Sequence, residues 1–180
     1  MRSIVTTLLV IVLLHCSGGG SAGPSGGGGS SSNIVGSFTP SLAVPTAGDI
    51  VLNESTKSGN MVTVEVRLTG ITGVRSAEFD LLFDPAQLEF VGDAPGTAFE
   101  TSGSPVIYVA GANTRGVLTV AVDIAGPGTV NVGQTRALIG LIFRVRQTGT
   151  HAVSFQDPRL RDGAFQTIPT QWFAGNFVGI

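Results

Sequence analysis

Residues 61–96 decide the fold, and they read MVTVEVRLTG ITGVRSAEFD LLFDPAQLEF VGDAPG. Apolar side chains alternate with polar ones over 62–68, and a second alternating block covers 78–83. Because successive side chains of a β-strand point to opposite faces, each block predicts a strand with one buried and one solvated face. Asp84-Pro85 then ends the second strand, since proline has no amide hydrogen and a fixed φ. The side chains that this pattern turns outward in the second block are Glu78, Asp80 and Leu82.

Strand signals recur along the rest of the chain, whereas no window longer than ten residues shows helical periodicity between capping residues. Glycine, proline, asparagine or aspartate separates most of the apolar segments. This spacing predicts an all-β protein, a jelly roll or β-sandwich of about nine strands. The predicted strands lie near 41–44, 48–53, 61–69, 74–83, 87–92, 105–111, 116–124, 137–147, 151–156 and 176–180. The predicted core consists of Phe79, Leu81, Phe83, Leu88, Phe90, Val120, Val122, Ile139, Leu141, Phe143, Val145, Val153 and Phe155.

Composition sets limits on the function. Hydrophobic residues make up 42% of the 180 residues, which is enough for a sizeable core in one domain with appendages. Charged residues make up only 12%, the net charge is −2, and no basic cluster is present to follow a phosphate backbone, so nucleic acid is not an expected partner. Cys16 is the only cysteine, so neither an internal disulfide nor a cysteine zinc site can form.

The N-terminal residues 1–16 predict an export signal. Arg2 precedes an apolar run that is too short to span ~30 Å of hydrocarbon but suits a secretory signal. The segment ending at Cys16 resembles a bacterial lipoprotein signal, although His15 replaces the small residue usual before the cysteine. The resemblance implies a lipid on Cys16, a Gly/Ser-rich flexible linker over 17–40, and a secreted, membrane-anchored domain over 41–180. Plain secretion with cleavage near 21–23 is the alternative, and it would discard Cys16.

The same stretch that decides the fold carries a second resemblance. The segments VTVEVRLTGI (62–71) and AEFDLLFDPAQLEFV (77–91), followed by Pro95-Gly96, resemble the opening of a cohesin domain. Later segments resemble further strands of that family in the expected order, namely 116–121, 138–146, 153–163 and 175–180. The resemblance implies a sandwich akin to carbohydrate-binding domains and a non-catalytic module that grips a dockerin-like protein partner.

Cohesins bind dockerin helices on one exposed sheet face. The resemblance implies that the strands in corresponding positions of this chain form the same kind of face. The resemblance further implies that residues from three segments share this face, provided that the segments pair as they do in cohesins. A mixed surface of acidic, aromatic and small apolar groups suits protein docking. The implied partner-binding residues are Glu78, Asp80, Leu82, Tyr108, Ala110, Thr119 and Ala121.

Catalytic patterns are poorly represented. His151 is the only histidine beyond the leader, and no Gly-x-Ser-x-Gly elbow occurs. Glu78 and Asp80 have the ~6.5–7 Å spacing of a glycosidase pair, but few residues remain to build a cleft around them. Turn formation, in place of calcium binding, is the role expected of Asp84, Asp157 and Asp162. We therefore predict a chain that is no enzyme and needs neither metal nor cofactor.

Trp172 separates the remaining hypotheses. An exposed tryptophan stacks on sugar rings, which would favour a carbohydrate-binding module that contacts polysaccharide directly. A tryptophan beneath the last strand would belong to the core, which is the role we expect for Trp172. The preferred function is recruitment of a dockerin-like partner at the cell envelope, with a link to polysaccharide breakdown; a purely structural envelope spacer is a third hypothesis.

Overall fold

The computed structural model describes residues 33–180, so the predictions for the export signal, for Cys16 and for the Gly/Ser-rich segment up to residue 32 lie outside the described residues. One 3-10 turn, Glu100–Ser102, accompanies the strands of this part. No helix among these residues is long and apolar enough to cross a bilayer. The strands, in chain order, are β1 (Gly36–Pro40), β2 (Asp49–Ser58), β3 (Met61–Leu68), β4 (Ile71–Leu82), β5 (Leu88–Pro95), β6 (Val106–Ala112), β7 (Val117–Ile124), β8 (Val130–Val132), β9 (Arg136–Val145), β10 (Gly149–Asp162), β11 (Gln171–Phe173) and β12 (Gly175–Gly179).

Two sheets pack face to face and confirm the predicted sandwich. A seven-stranded sheet has the order β1-β12-β10-β4-β7-β6, with β8 pairing beside β4. A five-stranded sheet has the order β11-β2-β3-β9-β5. Only the β11–β2 pair is parallel among the described pairs, as expected for a sandwich of antiparallel sheets. Residues 32–180 form one compact unit, so the sandwich holds a single core.

The core follows from the alternation seen in the sequence. Along β3 every second side chain is fully buried, and along β4 Phe79 and Leu81 turn inward in the same way. Edge-to-face aromatic contacts cross the interior, with the ring centroids of Phe83 and Phe143 5.4 Å apart. All predicted core residues are buried except Phe90 and Phe155, which are half-buried and pack against the core. Each such side chain contributes about 1.5–3 kcal/mol before entropy is subtracted.

Residues 33–180 contain twelve strands, so the prediction of about nine was too low. Three strands were missed, and two of them, β8 and β11, have three residues each, which is too short to show a periodicity. Residues 41–44 were predicted as a strand and are not one. There the Ser41 amide and hydroxyl both donate to Ala174 O, and the chain then leaves the sheet toward Pro45.

The linker prediction over 17–40 is wrong at its C-terminal end, because Gly36–Pro40 forms β1 and pairs with β12. The folded part therefore begins before residue 41. Phe38 is buried there, and its ring centroid lies 5.0 Å from that of Phe177. A single aromatic residue among small polar ones left no alternation for sequence reasoning to detect.

Two local features shape the ends of the central strands. After β4, the amides of Gln87 and Leu88 both donate to Asp84 O, which forms a single turn over 84–88. In β10 the register against β4 shifts between Gln156 and Arg159. Asp157 lies in this bulge with a φ of 47°, a conformation uncommon for any residue but glycine.

Candidate protein-binding face

The outer face is defined here as the solvent-facing side of β10, β4, β7 and β6 in the seven-stranded sheet. β4 lies at its centre, between β10 and β7. Glu78 is directly opposite Ala121, and Asp80 is directly opposite Thr119. Because opposite residues of an antiparallel pair project to the same side, these four side chains share the outer face. Leu82 also lies on this face, so five of the seven predicted residues come together.

The other two predicted residues, Tyr108 and Ala110, lie on the opposite side of the sheet. They pair with Val122 and Val120, both fully buried, and they pack against the core. The Tyr108 hydroxyl donates to Gly96 O at 3.2 Å, and burial raises the pKa of this phenol. The prediction that they belong to the outer face is therefore wrong. Every position of β6 is apolar or small, so its own sequence shows no alternation.

The register instead places Ile107 and Val109 of β6 on the outer face. Val109 is opposite Ala121, and Ile107 is opposite Asp123. Ile107 is 52% exposed and Val109 is 56% exposed, which is unusual for branched aliphatic side chains. Sequence reasoning missed both residues. The signal that could have found them is the clear polar alternation of β7, once the pairing of β6 with β7 is known.

Glu78 is the electrostatic centre of the outer face. Its carboxylate lies 2.6 Å from the Arg161 guanidinium and 3.5 Å from that of Arg159, both on β10. The hydrogen bond from Arg161 is the largest cause that lowers the pKa of Glu78; partial desolvation opposes it, and the charges of both arginines add to it. The carboxylate is therefore ionised at neutral pH and holds the arginines against the sheet.

Two open depressions flank Glu78. One, of about 270 Å³, is lined on β4 and β7 by Asp80 and Thr119 and on β10 by Asp157. The other, of about 360 Å³, extends past Arg161 to Phe165. Glu78 and Ala121 line both depressions, so the two form one continuous, gently contoured surface. Such a surface suits contact with another protein better than enclosure of a small substrate.

Phe165 is a second residue that sequence reasoning missed. It follows the turn at Asp162, whose carboxylate accepts hydrogen bonds from the amides of Ala164 and Gln166. Phe165 is 55% exposed and has a φ of 60°, a strained conformation for an aromatic residue. The Arg75 guanidinium lies 4.8 Å from its ring centroid, and Arg75 Nε also lies 3.7 Å from Asp123. The turn thus displays an aromatic ring at one rim of the outer face.

Trp172 is half-buried and packs against the core, which is close to the core role expected of it. Its ring centroid is 5.1 Å from that of Phe155 and 5.5 Å from that of Phe79. The indole Nε1 donates to the Thr170 hydroxyl at 2.8 Å. The ring and the polar edge of this tryptophan therefore both have partners within the chain.

His151 and Asp84, two polar residues weighed for catalysis or metal binding, are engaged in structure. His151 is buried, its Nε2 donates to Gln147 O at 2.8 Å, and its Nδ1 lies 2.9 Å from Gln87 Oε1. Asp84 accepts from the amide of Ala86, which is the turn-forming role expected of it. Within residues 33–180 no three histidine, cysteine or acidic side chains converge as metal ligands.

Fold and face together define a β-sandwich module with an exposed, mixed polar and apolar sheet surface. The family model for the cohesin domain matches residues 49–168, two thirds of the chain. The chain therefore belongs to the cohesin family. Cohesins are non-catalytic protein-interaction modules that bind dockerins in cellulosome-type assemblies.

Known proteins agree with this assignment. Cell surface glycoprotein 1 of Acetivibrio thermocellus is 24% identical over 142 residues, which cover 68% of this chain and 6% of that protein. The chain thus spans only a small part of the length of this relative.

Solved structures share the fold. A type II cohesin domain from the cellulosome of Acetivibrio cellulolyticus aligns with a TM-score of 0.58 and 22% identity, covering 76% of this chain and 95% of that one. The Coh-OlpC–Doc435 complex, a type I cohesin–dockerin complex from Clostridium thermocellum, aligns with a TM-score of 0.56 and 16% identity, covering 77% and 98%.

Proposed function

We propose that this chain is a non-catalytic recruiting module that binds a dockerin-like protein on the outer face. The observation that carries the proposal is the uncovered centre of that face, where Thr119 and Ala121 are exposed beside the Glu78–Arg161 ion pair. Membership of a family whose members bind dockerins supports the same partner class. We also propose a link to polysaccharide breakdown, which the cellulosome origin of the similar type II domain supports.

The chemistry of the outer face fits a protein partner. Small and aliphatic side chains on β6 and β7 offer apolar contact, while Glu78 and Asp80 offer charge at the centre. Apolar contact supplies affinity, and charge selects the partner and its orientation. Asp80 forms no ion pair within residues 33–180, so its carboxylate is free to meet a basic group of the partner.

Direct binding of polysaccharide is less well supported. Sugar-binding sandwiches depend on exposed aromatic platforms, whereas Trp172 is half-buried and packs against Phe79 and Phe155. Phe165 is exposed, but its ring is occupied on one side by Arg75. We therefore retain protein recruitment as the single proposed function.

The test is capture of partners by residues 32–180, followed by titration against a panel of purified dockerin modules. We expect the double variant Glu78→Arg with Leu82→Asp to lose binding, because it reverses the central charge and places a carboxylate on an apolar position. Circular dichroism checks that the variant is folded. Undiminished binding of every captured partner by a folded variant would show that the outer face is not the site.

A matched control exists on the other sheet. Glu65 is ion-paired with Arg67 at 2.8 Å, and Ile142 is half-buried on the solvent side of the five-stranded sheet. Glu65→Arg with Ile142→Asp therefore makes the same kinds of change away from the outer face. We expect this variant to bind as well as the unchanged protein.

We further propose that the module is tethered to the cell envelope by a lipid on Cys16. The apolar leader, the cysteine that follows it and the Gly/Ser-rich segment support this proposal. Mass spectrometry of the mature N-terminus should find an acylated Cys16, and Cys16→Ser should move the protein from the membrane fraction to the soluble one. A mature chain that begins near residue 22 would instead establish plain secretion.

A further inference from the structure

The edge strand β6 differs from the other sheet edges in the described part of the chain. β1 ends in Pro40, and its Phe38 amide is taken by the Glu54 carboxylate at 2.7 Å. β11 has three residues, and β5 has a register shift, charged residues and Pro95. Prolines, charges, bulges and short lengths are the devices that prevent sheet edges from pairing. β6 has none of them: its seven residues are VIYVAGA, and its register against β7 is unbroken.

The backbone of β6 offers a complete set of hydrogen-bonding groups along the edge that is not paired with β7. Asn113 N donates to Val117 O, and Ala125 N donates to Pro105 O. The backbone amides and carbonyls of the odd-numbered residues therefore point toward β7. In an antiparallel pair the bonded residues alternate, so the even-numbered residues point their amides and carbonyls away from β7. No other backbone group among residues 33–180 bonds to them. The residues concerned are Val106, Tyr108, Ala110 and Ala112.

The order of side chains along β6 fits a second copy of the same strand. Its first three residues are large, its last three are small, and Val109 lies at the centre. Antiparallel pairing about a two-fold axis at Val109 places Ile107 opposite Gly111 on the outer face. The same register places Tyr108 opposite Ala110, and Val106 opposite Ala112, on the inner face. Each large side chain therefore meets a small one on the other copy.

This register also satisfies the backbone. The even-numbered residues become the bonded pairs, Tyr108 with Ala110 and Val106 with Ala112, each exchanging two hydrogen bonds, about eight in all. The strand is uncharged, so no like charges oppose each other across the axis. We propose that two copies of this chain associate through β6 in this register, joining their seven-stranded sheets into one continuous sheet.

The first test is the mass of residues 32–180 in solution, the compact unit that contains every described strand and the whole core. Sedimentation equilibrium should show a monomer–dimer equilibrium as concentration rises. Val109→Lys places two cations at the axis and should weaken dimerisation at least about tenfold. Val44→Lys, at a valine that is 77% exposed outside the strands, should leave dimerisation unchanged. A protein that is monomeric up to ~1 mM, or a dimer indifferent to Val109→Lys, would overturn the proposal.

Gly111→Val separates dimerisation from folding. The Gly111 φ lies outside the left-handed range, and a Cβ there would meet nothing within 4 Å in the same copy. Valine favours a strand more than glycine does, so the Tm of the monomer should rise. On the partner copy, however, the new side chain would meet Ile107, so dimerisation should weaken. A variant that dimerises as strongly as the unchanged protein would contradict the register.

Oxidative cross-linking tests the register directly, because residues 32–180 contain no cysteine. Val109→Cys brings two thiols together on the axis, within the Cα separation that a disulfide requires. Ile107→Cys places them four residues apart along the strands, about 13 Å, which a disulfide cannot bridge. We expect rapid cross-linking of the first variant only. Equal rates for the two variants would rule out pairing centred at Val109.

Discussion

Glu78 and Phe165 show how single residues shape the outer face. Glu78 was visible in the sequence because it stands between buried aromatic and aliphatic neighbours on β4. Its two arginine partners come from a strand 81 and 83 residues later in the chain, so the ion pairs depend on tertiary structure. Phe165 was not visible, because its exposure and its strained backbone arise from the turn that holds it. The first residue organises charge at the centre, and the second displays an aromatic ring at the rim.

The lowered pKa of Glu78 predicts a pH dependence of stability. A carboxyl whose pKa is lower in the folded than in the unfolded state stabilises the fold above its ordinary value of 4.5, and this contribution disappears as pH falls through the folded-state pKa. Glu78→Gln should therefore be less stable than the unchanged protein at pH 7, with the difference shrinking below about pH 4.5. Urea unfolding at a series of pH values measures it. At 1 M salt the difference in stability at pH 7 should shrink, since the ion pair of Glu78 and Arg161 is partly exposed. A difference in stability that does not change with pH would contradict the assignment of this effect to the Glu78 carboxylate.

The strained backbone of Phe165 predicts an unusual order among its variants. Both Phe165→Ala and Phe165→Gly remove the contact with Arg75, but only glycine accepts a φ of 60° without strain. Phe165→Gly should therefore be more stable than Phe165→Ala by about 1 kcal/mol, the reverse of the order expected in a regular strand. Thermal or urea unfolding of the two variants decides this. An alanine variant equal to or more stable than the glycine variant would show that the turn is relaxed.

At the scale of elements, strand pairing determined what alternation could not. β3, β4 and β7 each show polar and apolar residues in turn, so their buried faces were predicted correctly. β6 has apolar or small residues at every position, so only its register against β7 decides which side chains face outward. That register is set by the turn between the two strands, where Asn113 Oδ1 accepts hydrogen bonds from the amides of Arg115 and Val117.

Gly116 in this turn predicts the cost of disturbing the register. Its φ is 80°, and a Cβ at this position would overlap the carbonyl oxygen of Phe83. The Phe83 backbone cannot easily move away, because Phe83 N donates a hydrogen bond to Gly116 O. Gly116→Ala should therefore destabilise the fold by about 2 kcal/mol or more. Gly133→Ala, where a Cβ would meet nothing within 4 Å and φ is not left-handed, is the matched control and should be nearly neutral. Chemical denaturation compares the two, and equal stabilities would contradict this role.

At the scale of the whole molecule, the sandwich is closed by its first strand. β1 lies at one edge of the seven-stranded sheet beside β12, the last strand of the chain. Val35 and Ile180 exchange backbone hydrogen bonds of 2.9 and 3.0 Å, so the two ends of the folded part lie side by side. At the other edge β6 is open. If the proposed dimer forms there, two outer faces lie in one continuous sheet, and a partner with two binding modules could gain affinity by engaging both.

The domain boundary can be tested by truncation. Residues 41–180 lack β1, and with it the Phe38 ring that covers Phe177. We expect this fragment to be less stable than residues 32–180 by at least about 3 kcal/mol, the loss typical of removing a buried phenylalanine. Phe38→Ala in the longer chain should reproduce much of this loss, whereas Thr39→Ala, at an exposed position, should not. If both fragments unfold at the same denaturant concentration, β1 does not belong to the cooperative unit.

Sequence alone determined the all-β class, many of the core residues and the outward direction of Glu78, Asp80 and Leu82, because period-two alternation is a local property that each strand displays by itself. The positions of Thr119 and Ala121 came from the resemblance to cohesins, and the register of β7 against β4 agrees with them. Tertiary structure decided the inward position of Tyr108 and Ala110, the exposure of Ile107 and Val109, and the pairing of β1 with β12. Those outcomes depend on which strand lies beside which, and an apolar strand such as β6, or a short one such as β1, leaves no trace of its neighbour in its own residues.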